Sequence, residues 1–385
     1  MKSVKNFLPR QYDENSVLPI NHNYLTKQFS DYEEILEKIS VVVRNGDYTL
    51  GRKVDEFENH FCETINSKFS VGVGSGTDAL FLSLKAFGIG DTNEDEVITT
   101  PFTFYATIGA IVTAGARPVF ADIGDDYNID PEKIEAAITP NTKAIVPVHW
   151  SGKPCDMDRI SKIAEKYGLK IIEDACHAIT ATYKNKNAGT FGDTGCFSMH
   201  PLKNLNVWGD GGIICTQSEK VAAKLRLLRN HGLSGRNTCE IFAYNSRLDT
   251  IQAVVAEHLL RKLPEISKKR IENSRNFDKL LLKIPQVTIP PREEETVKQV
   301  FHIYSLCFER RDELQAYLIA NGVDAKIHYP TPMHLQPASK GFGYKEGDFP
   351  IAETVAKSVM SLPVHEYITA DEQSKVVDLI ESFYA

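Results

Sequence analysis

Lys203 is the residue of this sequence whose surroundings most suggest covalent chemistry. It lies in a largely uncharged segment, residues 198–205, between two predicted buried strands. Burial would remove water from its ammonium group and lower the pKa, which favours the neutral amine that attacks a carbonyl carbon. Such a lysine can form a Schiff base. The alternative is a lysine at the end of a strand whose charged head reaches water.

A glycine-rich segment, residues 72–80, directly follows a predicted strand and opens a predicted helix. Glycines permit close approach of a ligand to the backbone, and the free N–H groups and dipole of a helix start favour a phosphate group. The segment lacks the ending of a Walker A loop and does not match G-x-G-x-x-G. The alternative is a tight turn in which Thr77 caps the helix.

Two acids, Glu173 and Asp174, end another predicted buried strand. Ligands of parallel α/β sheets bind at the carboxyl ends of the strands. A carboxylate placed there can hydrogen-bond a protonated ring nitrogen and keep it charged. The alternative is that the aspartate only caps the start of a helix.

Two other stretches offer candidate contacts for a ligand. Phe104 follows a further predicted strand and could stack on a planar ring, although aromatic residues also fill cores. Asn245 precedes a long predicted helix and could bind a ligand or cap a turn.

Four of these signals have one chemical requirement in common. A reactive lysine, a carboxylate for a ring nitrogen, a stacking aromatic and a phosphate-binding turn are what pyridoxal phosphate needs from a protein. Because they all fall in one predicted α/β sheet, their combination predicts this cofactor.

Composition excludes several classes of protein. The chain has 385 residues, of which 42% are hydrophobic and 25% charged, enough for one large and one smaller domain. The net charge of -7 argues against a nucleic-acid surface. No apolar stretch reaches the ~20 residues of a membrane span, and no signal peptide is recognisable, so a cytoplasmic protein is expected. The cysteines and histidines lack the spacing of a disulfide frame or a metal site.

Short apolar runs alternate with helical patterns over the first part of the chain, which predicts a mainly parallel seven-stranded sheet with helices on both faces. The predicted strands are residues 69–73, 96–99, 117–121, 144–148, 170–173, 195–198 and 212–215. The predicted helices between them include residues 77–87, 106–114, 131–137 and 157–167.

The order of the elements also predicts three parts of the chain. Residues 1–30 form an N-terminal arm, residues 31–265 the large domain, and residues 266–385 a smaller C-terminal α/β domain. We expect the boundary near residue 265 to fall within long helices, since no flexible linker separates the two parts.

From about Asn45 to its C-terminus the chain resembles the DegT/DnrJ/EryC1 family of sugar-nucleotide aminotransferases, which are fold-type I pyridoxal-phosphate enzymes. The stretches that carry the resemblance are residues 74–80, 173–178, 197–212, 229–232, 244–249, 328–330 and 334–337.

The resemblance implies a role for each candidate residue. Lys203 would hold the cofactor as a Schiff base, and Asp174 would pair with its ring nitrogen. The remaining implied contacts are His177 beside the ring, Phe104 stacked on it, Gly76, Thr77 and Ser198 at the phosphate, Asn245 at the phosphate of the neighbouring subunit of a homodimer, and His328 with Tyr329 near the sugar nucleotide.

The implied reaction moves an amino group from L-glutamate to the ketone of a nucleotide-linked keto-deoxy-sugar, for the aminosugars of lipopolysaccharide, capsule or another glycoconjugate. Residues 328–337 and 347–350 are more similar to members that act on 3-keto sugars than on 4-keto sugars. Some members replace the lysine with histidine and act as dehydratases, so Lys203 favours transamination. The alternatives are a dehydratase of the same family and a non-catalytic cofactor-binding regulator.

Overall fold

The structure is a computed structural model that describes residues 18–293 and 295–385. Most of the predicted N-terminal arm, residues 1–17, lies outside the described residues. The remaining part of the arm contains one short helix, and Ile20 forms an isolated bridge with Val323.

Helices alternate with strands over the first part of the described chain, as the sequence pattern predicts. The α-helices are α1 (Leu25–Gln28), α2 (Tyr32–Asn45), α3 (Arg52–Ile65), α4 (Gly76–Ala86), α5 (Tyr105–Ala114), α6 (Pro131–Ala136), α7 (Met157–Tyr167), α8 (Glu219–Leu228), α9 (Thr250–Leu260), α10 (Leu263–Leu281), α11 (Arg311–Ala320), α12 (Pro350–Ser358) and α13 (Ala370–Tyr384). The strands are β1 (Phe69–Val73), β2 (Glu96–Thr99), β3 (Arg117–Phe120), β4 (Thr142–Ile145), β5 (Lys170–Asp174), β6 (Thr182–Tyr183), β7 (Lys186–Asn187), β8 (Thr194–Ser198), β9 (Gly212–Thr216), β10 (Leu233–Gly235), β11 (Thr238–Cys239), β12 (Val287–Thr288), β13 (Val297–Lys298), β14 (Tyr304–Phe308) and β15 (Val359–Leu362).

The main sheet has seven strands in the order β1-β9-β8-β5-β4-β2-β3. Strand β9 runs antiparallel to β1 and β8, and the other neighbours pair in parallel. The prediction of a mainly parallel seven-stranded sheet is therefore confirmed. The largest error in the predicted strands is at β4, which ends at Ile145 and not at residue 148. Pro147 has no N–H group to continue the ladder, which explains the early end.

Helices cover both faces of this sheet because neighbouring strand residues point to opposite sides. Ile213 packs in the cluster formed with α2, α3 and α9, whereas the next residue, Ile214, packs with α4, α5 and α8. Ile172 packs in the same cluster as Ile214, whereas the preceding residue, Ile171, packs with α6 and α7. Both layers that the apolar runs predict are present.

A second, smaller sheet has the order β12-β14-β15 and packs with α10, α11 and α13. Its core includes Phe277, Tyr304 and Val376, together with Ile20 from the N-terminal region. The predicted domain boundary at residue 265 falls within α10, and this boundary stays a prediction. Among the described residues, none of the helices combines the length and apolar character that crossing a membrane requires.

Candidate active site

The carboxyl ends of β5 and β8 bring several of the predicted residues together. Asp174 is the last residue of β5, Ser198 is the last of β8, and Gly76 is the first of α4. A Cβ atom added to Gly76 would lie 2.6 Å from Ser198 Cβ and 3.1 Å from Cys176 Sγ. Only glycine fits this contact, which places the start of α4 directly against Ser198.

The turn before α4 is capped by Ser75, whose Oγ accepts a hydrogen bond from Asp78 N at 3.0 Å. The alternative that Thr77 caps the helix is therefore wrong, and the reason is that the helix begins one residue earlier than predicted. Gly76 and Thr77 occupy the first turn, where backbone N–H groups have no partner within the helix. Their position suits an anion that also contacts Ser198.

Asp174 is buried and held by two hydrogen bonds. Its Oδ2 accepts from Thr107 Oγ1 at 2.8 Å, and its Oδ1 accepts from Cys176 N at 3.2 Å. The second bond closes a turn over the next two residues, so Asp174 does not cap a helix. The Thr107 hydroxyl lies 2.8 Å from that of Thr103, which extends the network along α5.

Glu173 serves a different purpose from its neighbour because successive residues of a strand face opposite sides of the sheet. Its carboxylate is completely buried and accepts hydrogen bonds from the backbone N–H groups of Gly189, Phe191 and Gly192. His149 Nε2 lies 2.9 Å from it. Glu173 therefore fixes the segment between β7 and β8 and is not a candidate for binding a ligand.

Lys203 lies between β8 and β9 and is half-buried. Burial lowers the pKa of its amine, while the charges of Cys176 and Asp174 act in the opposite direction. The amine is thus close enough to Asp174 to be affected by its charge, yet is more easily deprotonated than a surface lysine. This is the environment that the Schiff-base hypothesis requires.

His177 is buried next to a second histidine, His302. Their ring centroids are 4.4 Å apart, and the His177 ring lies 5.6 Å from that of Trp150. Burial, followed by the nearby charge of Lys203, holds the pKa of both histidines well below the usual value. Both are therefore neutral at pH 7. The Nδ1 atom of each is buried without a hydrogen-bond partner in the described part of the chain.

Aromatic residues border the same site. The ring of Phe104 is 46% exposed and lies 5.7 Å from the ring of Tyr329. Tyr329 also lies 6.0 Å from Tyr105 and 5.8 Å from Trp150. Burial raises the pKa of the Tyr329 hydroxyl, which stays protonated at neutral pH. An exposed ring above a polar site is available to stack on a planar ligand.

His328 joins the group from the part of the chain beyond α11. Its Nδ1 lies 2.9 Å from Ser361 Oγ, and burial lowers the pKa of its imidazole to about 3. The nearby charges of His22, Lys326 and Lys203 contribute to this shift. His328 and Tyr329 thus lie at the same site as Lys203 and Asp174, although helices α8 to α11 separate them from Lys203 in sequence.

Asn245 is exposed, and its backbone forms an isolated bridge with Asn230. The neighbouring Phe242 is completely exposed, and Ile241 and Tyr244 are also accessible. No described contact brings Asn245 to the Lys203 site of its own chain. Its predicted position at the phosphate of a neighbouring subunit stays a prediction.

One group of possible metal ligands occurs elsewhere in the described residues. Atoms of Asp31, Glu34 and His258 all lie within 4.8 Å of one another. Lys262 Nζ is 2.5 Å from Asp31 Oδ2, so this carboxylate already has a cationic partner. The cluster gives no reason to infer a metal site.

Comparison with known proteins assigns the family. The model of the DegT/DnrJ/EryC1/StrS aminotransferase family matches residues 30–381. This chain belongs to that family. The predicted family, fold class and enzyme class are therefore confirmed.

Two curated relatives and one solved structure illustrate the similarity. A "pleiotropic regulatory protein" of Geobacillus stearothermophilus is 40% identical over 94% of this chain and 97% of its own length. A dTDP-3-amino-3,4,6-trideoxy-alpha-D-glucose transaminase of Streptomyces venezuelae is 37% identical, with 91% and 93% covered. The crystal structure of DesV from S. venezuelae, in complex with a ketimine intermediate, superimposes with a TM-score of 0.91 at 36% identity, covering 95% of this chain and 98% of that one.

The family implies pyridoxal phosphate as the cofactor. The features of the site described above are compatible with this cofactor. Lys203 has the lowered pKa of a reactive amine, and the buried Nδ1 of His177 has no partner within the described residues. Phe104 presents an accessible ring, and Gly76 and Thr77 occupy the first turn of α4, where backbone N–H groups have no partner within the helix.

Sequence reasoning missed two residues of this DegT/DnrJ/EryC1/StrS site, Thr107 and His302. Thr107 contacts Asp174 from the first turn of α5, and its only signal was its spacing of four residues from Thr103. His302 comes from the segment before β14 and had no local signal. Cys176 is partly accessible and lies close enough to Lys203 to influence its pKa.

Proposed function

We propose that this protein transfers an amino group from L-glutamate to the ketone of a nucleotide-linked keto-deoxy-sugar, with a ketone at C3 favoured over one at C4. The observation that carries the proposal is the Lys203 amine, whose pKa burial lowers, close to the carboxylate of Asp174 at the carboxyl edge of the sheet. The product would be an aminosugar for lipopolysaccharide, capsule or another glycoconjugate.

Pyridoxal phosphate is the proposed cofactor, and each of its parts has a candidate partner. Lys203 would bind its aldehyde, and Asp174 its ring nitrogen. The other proposed partners are Gly76, Thr77 and Ser198 for the phosphate, His177 for the ring substituents, and Phe104 for the ring face. When bound, the cofactor withdraws electrons and makes the hydrogen on the Cα of an amino acid acidic.

Lys203 would act as the acid and base of the reaction once the amino donor has displaced it. Its lowered pKa increases the neutral fraction of the amine, which can take the proton from the Cα atom of the donor and later return a proton. Asp174 would keep the ring nitrogen protonated through its negative charge. Thr107 supports this role because its hydroxyl hydrogen-bonds the carboxylate and fixes its orientation.

The sugar nucleotide is proposed to bind near His328 and Tyr329. The aromatic group of Phe104, Tyr105, Trp150 and Tyr329 offers apolar faces for a sugar ring. The preference for C3 is supported by residues 328–337 and by the 3-amino sugar in the name of the transaminase from Streptomyces venezuelae.

We also propose a homodimer in which Asn245 contributes to the site of the other subunit. The support is the exposed apolar surface beside it, formed by Ile241, Phe242 and Tyr244. A completely exposed phenylalanine side chain is costly in water and is typical of a surface that a partner covers.

The regulatory name of the relative from Geobacillus stearothermophilus keeps a non-catalytic function as a second candidate. A regulator would bind the cofactor but would not turn over glutamate. A dehydratase of the same family would release ammonia, whereas a transaminase would release 2-oxoglutarate in a 1:1 ratio to aminated sugar.

The proposal is tested with a panel of 3-keto and 4-keto sugar nucleotides, using purified protein, pyridoxal phosphate and L-glutamate. We expect 2-oxoglutarate and a C3 aminosugar to form in equal amounts, with ping-pong kinetics. Lys203→Ala should abolish turnover and the visible absorbance of the bound cofactor near ~420 nm. An active Lys203→Ala variant that keeps this absorbance would rule out the proposed role of the lysine.

A further inference from the structure

The segment before α2 contacts both the C-terminal part of the chain and the segment that carries Lys203. Residues 19–28 are here called the strap, and β12, β14 and β15 with α10, α11 and α13 are called the small sheet region. The strap pairs with the turn after α11 of this region. The N–H of Ile20 donates to Gly322 O at 3.1 Å, and its carbonyl accepts from Asp324 N at 2.7 Å. His365 Nε2 lies 2.9 Å from Asn21 O. The start of the strap is thus attached to the C-terminal part of the chain.

Tyr24 of the strap contacts the backbone next to Lys203. Its hydroxyl donates a hydrogen bond of 2.9 Å to the carbonyl oxygen of Leu202. The ring is buried, stacks on His365 at 5.0 Å and lies 4.9 Å from the guanidinium group of Arg270. Burial raises the pKa of the hydroxyl, so it remains a donor at neutral pH.

Gln28, at the end of the strap, reaches the same segment through Asn206. The Asn206 amide donates to Gln28 Oε1 at 2.7 Å and to Lys203 O at 2.8 Å. Gln28 Nε2 in turn donates to Glu366 Oε1 at 2.8 Å, and Glu366 lies 3.2 Å from Arg270. These polar side chains are all buried, so each hydrogen bond is protected from competition with water.

The backbone at Leu202 explains why such support is needed. Its φ angle is 75°, in the left-handed region that residues other than glycine rarely occupy. A leucine stays in this region only when neighbouring groups hold it there. Tyr24 fixes the carbonyl of Leu202, and the Gln28–Asn206 pair fixes that of Lys203.

We propose that Tyr24 and Gln28 are positioning residues that set the place of the Lys203 amine relative to Asp174, and that the strap thereby couples the small sheet region to the reactive lysine. This inference rests on the proposed function of Lys203. A strap that only stabilised the fold would change the melting temperature of the protein without changing the chemistry at the lysine.

The first test compares Tyr24→Phe with Tyr384→Phe. The control removes a hydrogen bond of the same type, from Tyr384 Oη to Glu309 O, at the end of α13. In Tyr24→Phe we expect kcat to fall about tenfold, since one lost hydrogen bond is comparable to a tenfold change in rate, with KM for both substrates nearly unchanged. The pH midpoint of the visible absorbance of the bound cofactor should also shift, and Tyr384→Phe should keep the wild-type values of kcat and midpoint.

A second measurement uses the protein without cofactor. Hydrogen–deuterium exchange of the peptide that contains residues 199–207 should be faster in Tyr24→Phe and in Gln28→Leu than in the wild type and Tyr384→Phe. If Tyr24→Phe keeps the exchange rate, the kcat and the absorbance midpoint of the wild type, the positioning role is wrong. If the wild type itself forms no visible cofactor band while the exchange difference persists, the proposed function fails and the contact of the strap with the Lys203 segment stands.

Discussion

Asp174 and Glu173 are adjacent in sequence, but their contacts assign them to different tasks. Within the described residues the carboxylate of Asp174 accepts two hydrogen bonds, and it is close enough to Lys203 for their charges to interact, so it retains capacity for a ligand. Glu173 accepts three backbone N–H groups and lies beside His149, so its oxygens are fully used by the protein. Substitutions of the two acids should therefore affect different quantities.

We expect Asp174→Asn to reduce kcat at least ~100-fold with little loss of stability, because the neutral amide cannot keep a ring nitrogen protonated. Glu173→Gln should lower the free energy of unfolding by about 1–3 kcal/mol, since one of its acceptor oxygens is replaced by a donor. Steady-state kinetics and chemical denaturation of both variants provide the comparison. The same loss of kcat in a folded Glu173→Gln protein would contradict this division.

Thr107 offers a milder test of how Asp174 is oriented. Thr107→Val removes the 2.8 Å hydrogen bond and should reduce kcat roughly 3- to 10-fold. Thr113→Val is the matched control, because Thr113 lies on the same helix and, within the part of the chain that the structure describes, its hydroxyl bonds only to backbone carbonyls of that helix. Equal activity in the two variants would show that the bond to Asp174 has no catalytic effect.

At the scale of elements, the site is formed where a helix start meets the ends of parallel strands. The close contact between Gly76 and Ser198 determines how near α4 can come to β8. The topology of a parallel sheet brings the carboxyl ends of its strands and the starts of the following helices to one edge. Because Gly76 has no Cβ, the start of α4 can then contact Ser198 at the end of β8.

Gly76→Ala should therefore weaken binding of pyridoxal phosphate at least ~10-fold, because its Cβ would lie 2.6 Å from Ser198 Cβ and push α4 away from β8. Gly109→Ala is the control on α5, where an added Cβ meets nothing within 4 Å and should stabilise the helix. Cofactor titration by absorbance, together with thermal unfolding, measures both effects. Unchanged cofactor affinity in Gly76→Ala would contradict the proposed phosphate contact.

Much of this arrangement follows from local sequence, and the rest depends on contacts between distant segments. Lys203 and Asp174 were predicted because each ends or follows a recognisable apolar strand, whereas Ser198 was implied by the family resemblance. His302, Thr107 and Tyr24 were not, because their roles depend on which distant residue they meet. The position of Asn245 at the phosphate stays a prediction for a related reason, since its proposed partner lies on another subunit.

At the scale of the whole molecule, the lysine segment is enclosed by the large sheet, the small sheet region and the strap. Several histidines are buried at this junction. Burial lowers the pKa of His365 and of His328 to about 3 in each case. Both are therefore neutral at pH 7. The Nδ1 atom of His365 accepts a hydrogen bond from the backbone N–H of Tyr367, which a protonated ring could not do. Its Nε2 lies 2.9 Å from Asn21 O, and His328 Nδ1 lies 2.9 Å from Ser361 Oγ.

The protein should become less stable as the pH falls from 7 towards 4. Between pH 3 and about 6.5 the unfolded chain binds protons at His365 that the folded chain does not, so the free energy of unfolding decreases as pH falls through this range. The loss should be on the order of 1–2 kcal/mol at pH 5 for this one residue. Urea denaturation at several pH values measures it, and His365→Gln should reduce the slope. An identical slope in wild type and variant would show that His365 is not responsible.

The most direct test of the central claim is a single turnover with L-glutamate and no sugar acceptor. Wild-type protein loaded with pyridoxal phosphate should form one 2-oxoglutarate per chain and release no ammonia, whereas Lys203→Ala should form none. Ammonia as the product, or equal yields of 2-oxoglutarate from the wild type and Lys203→Ala, would contradict the assignment of Lys203 as the acid–base group of a transaminase.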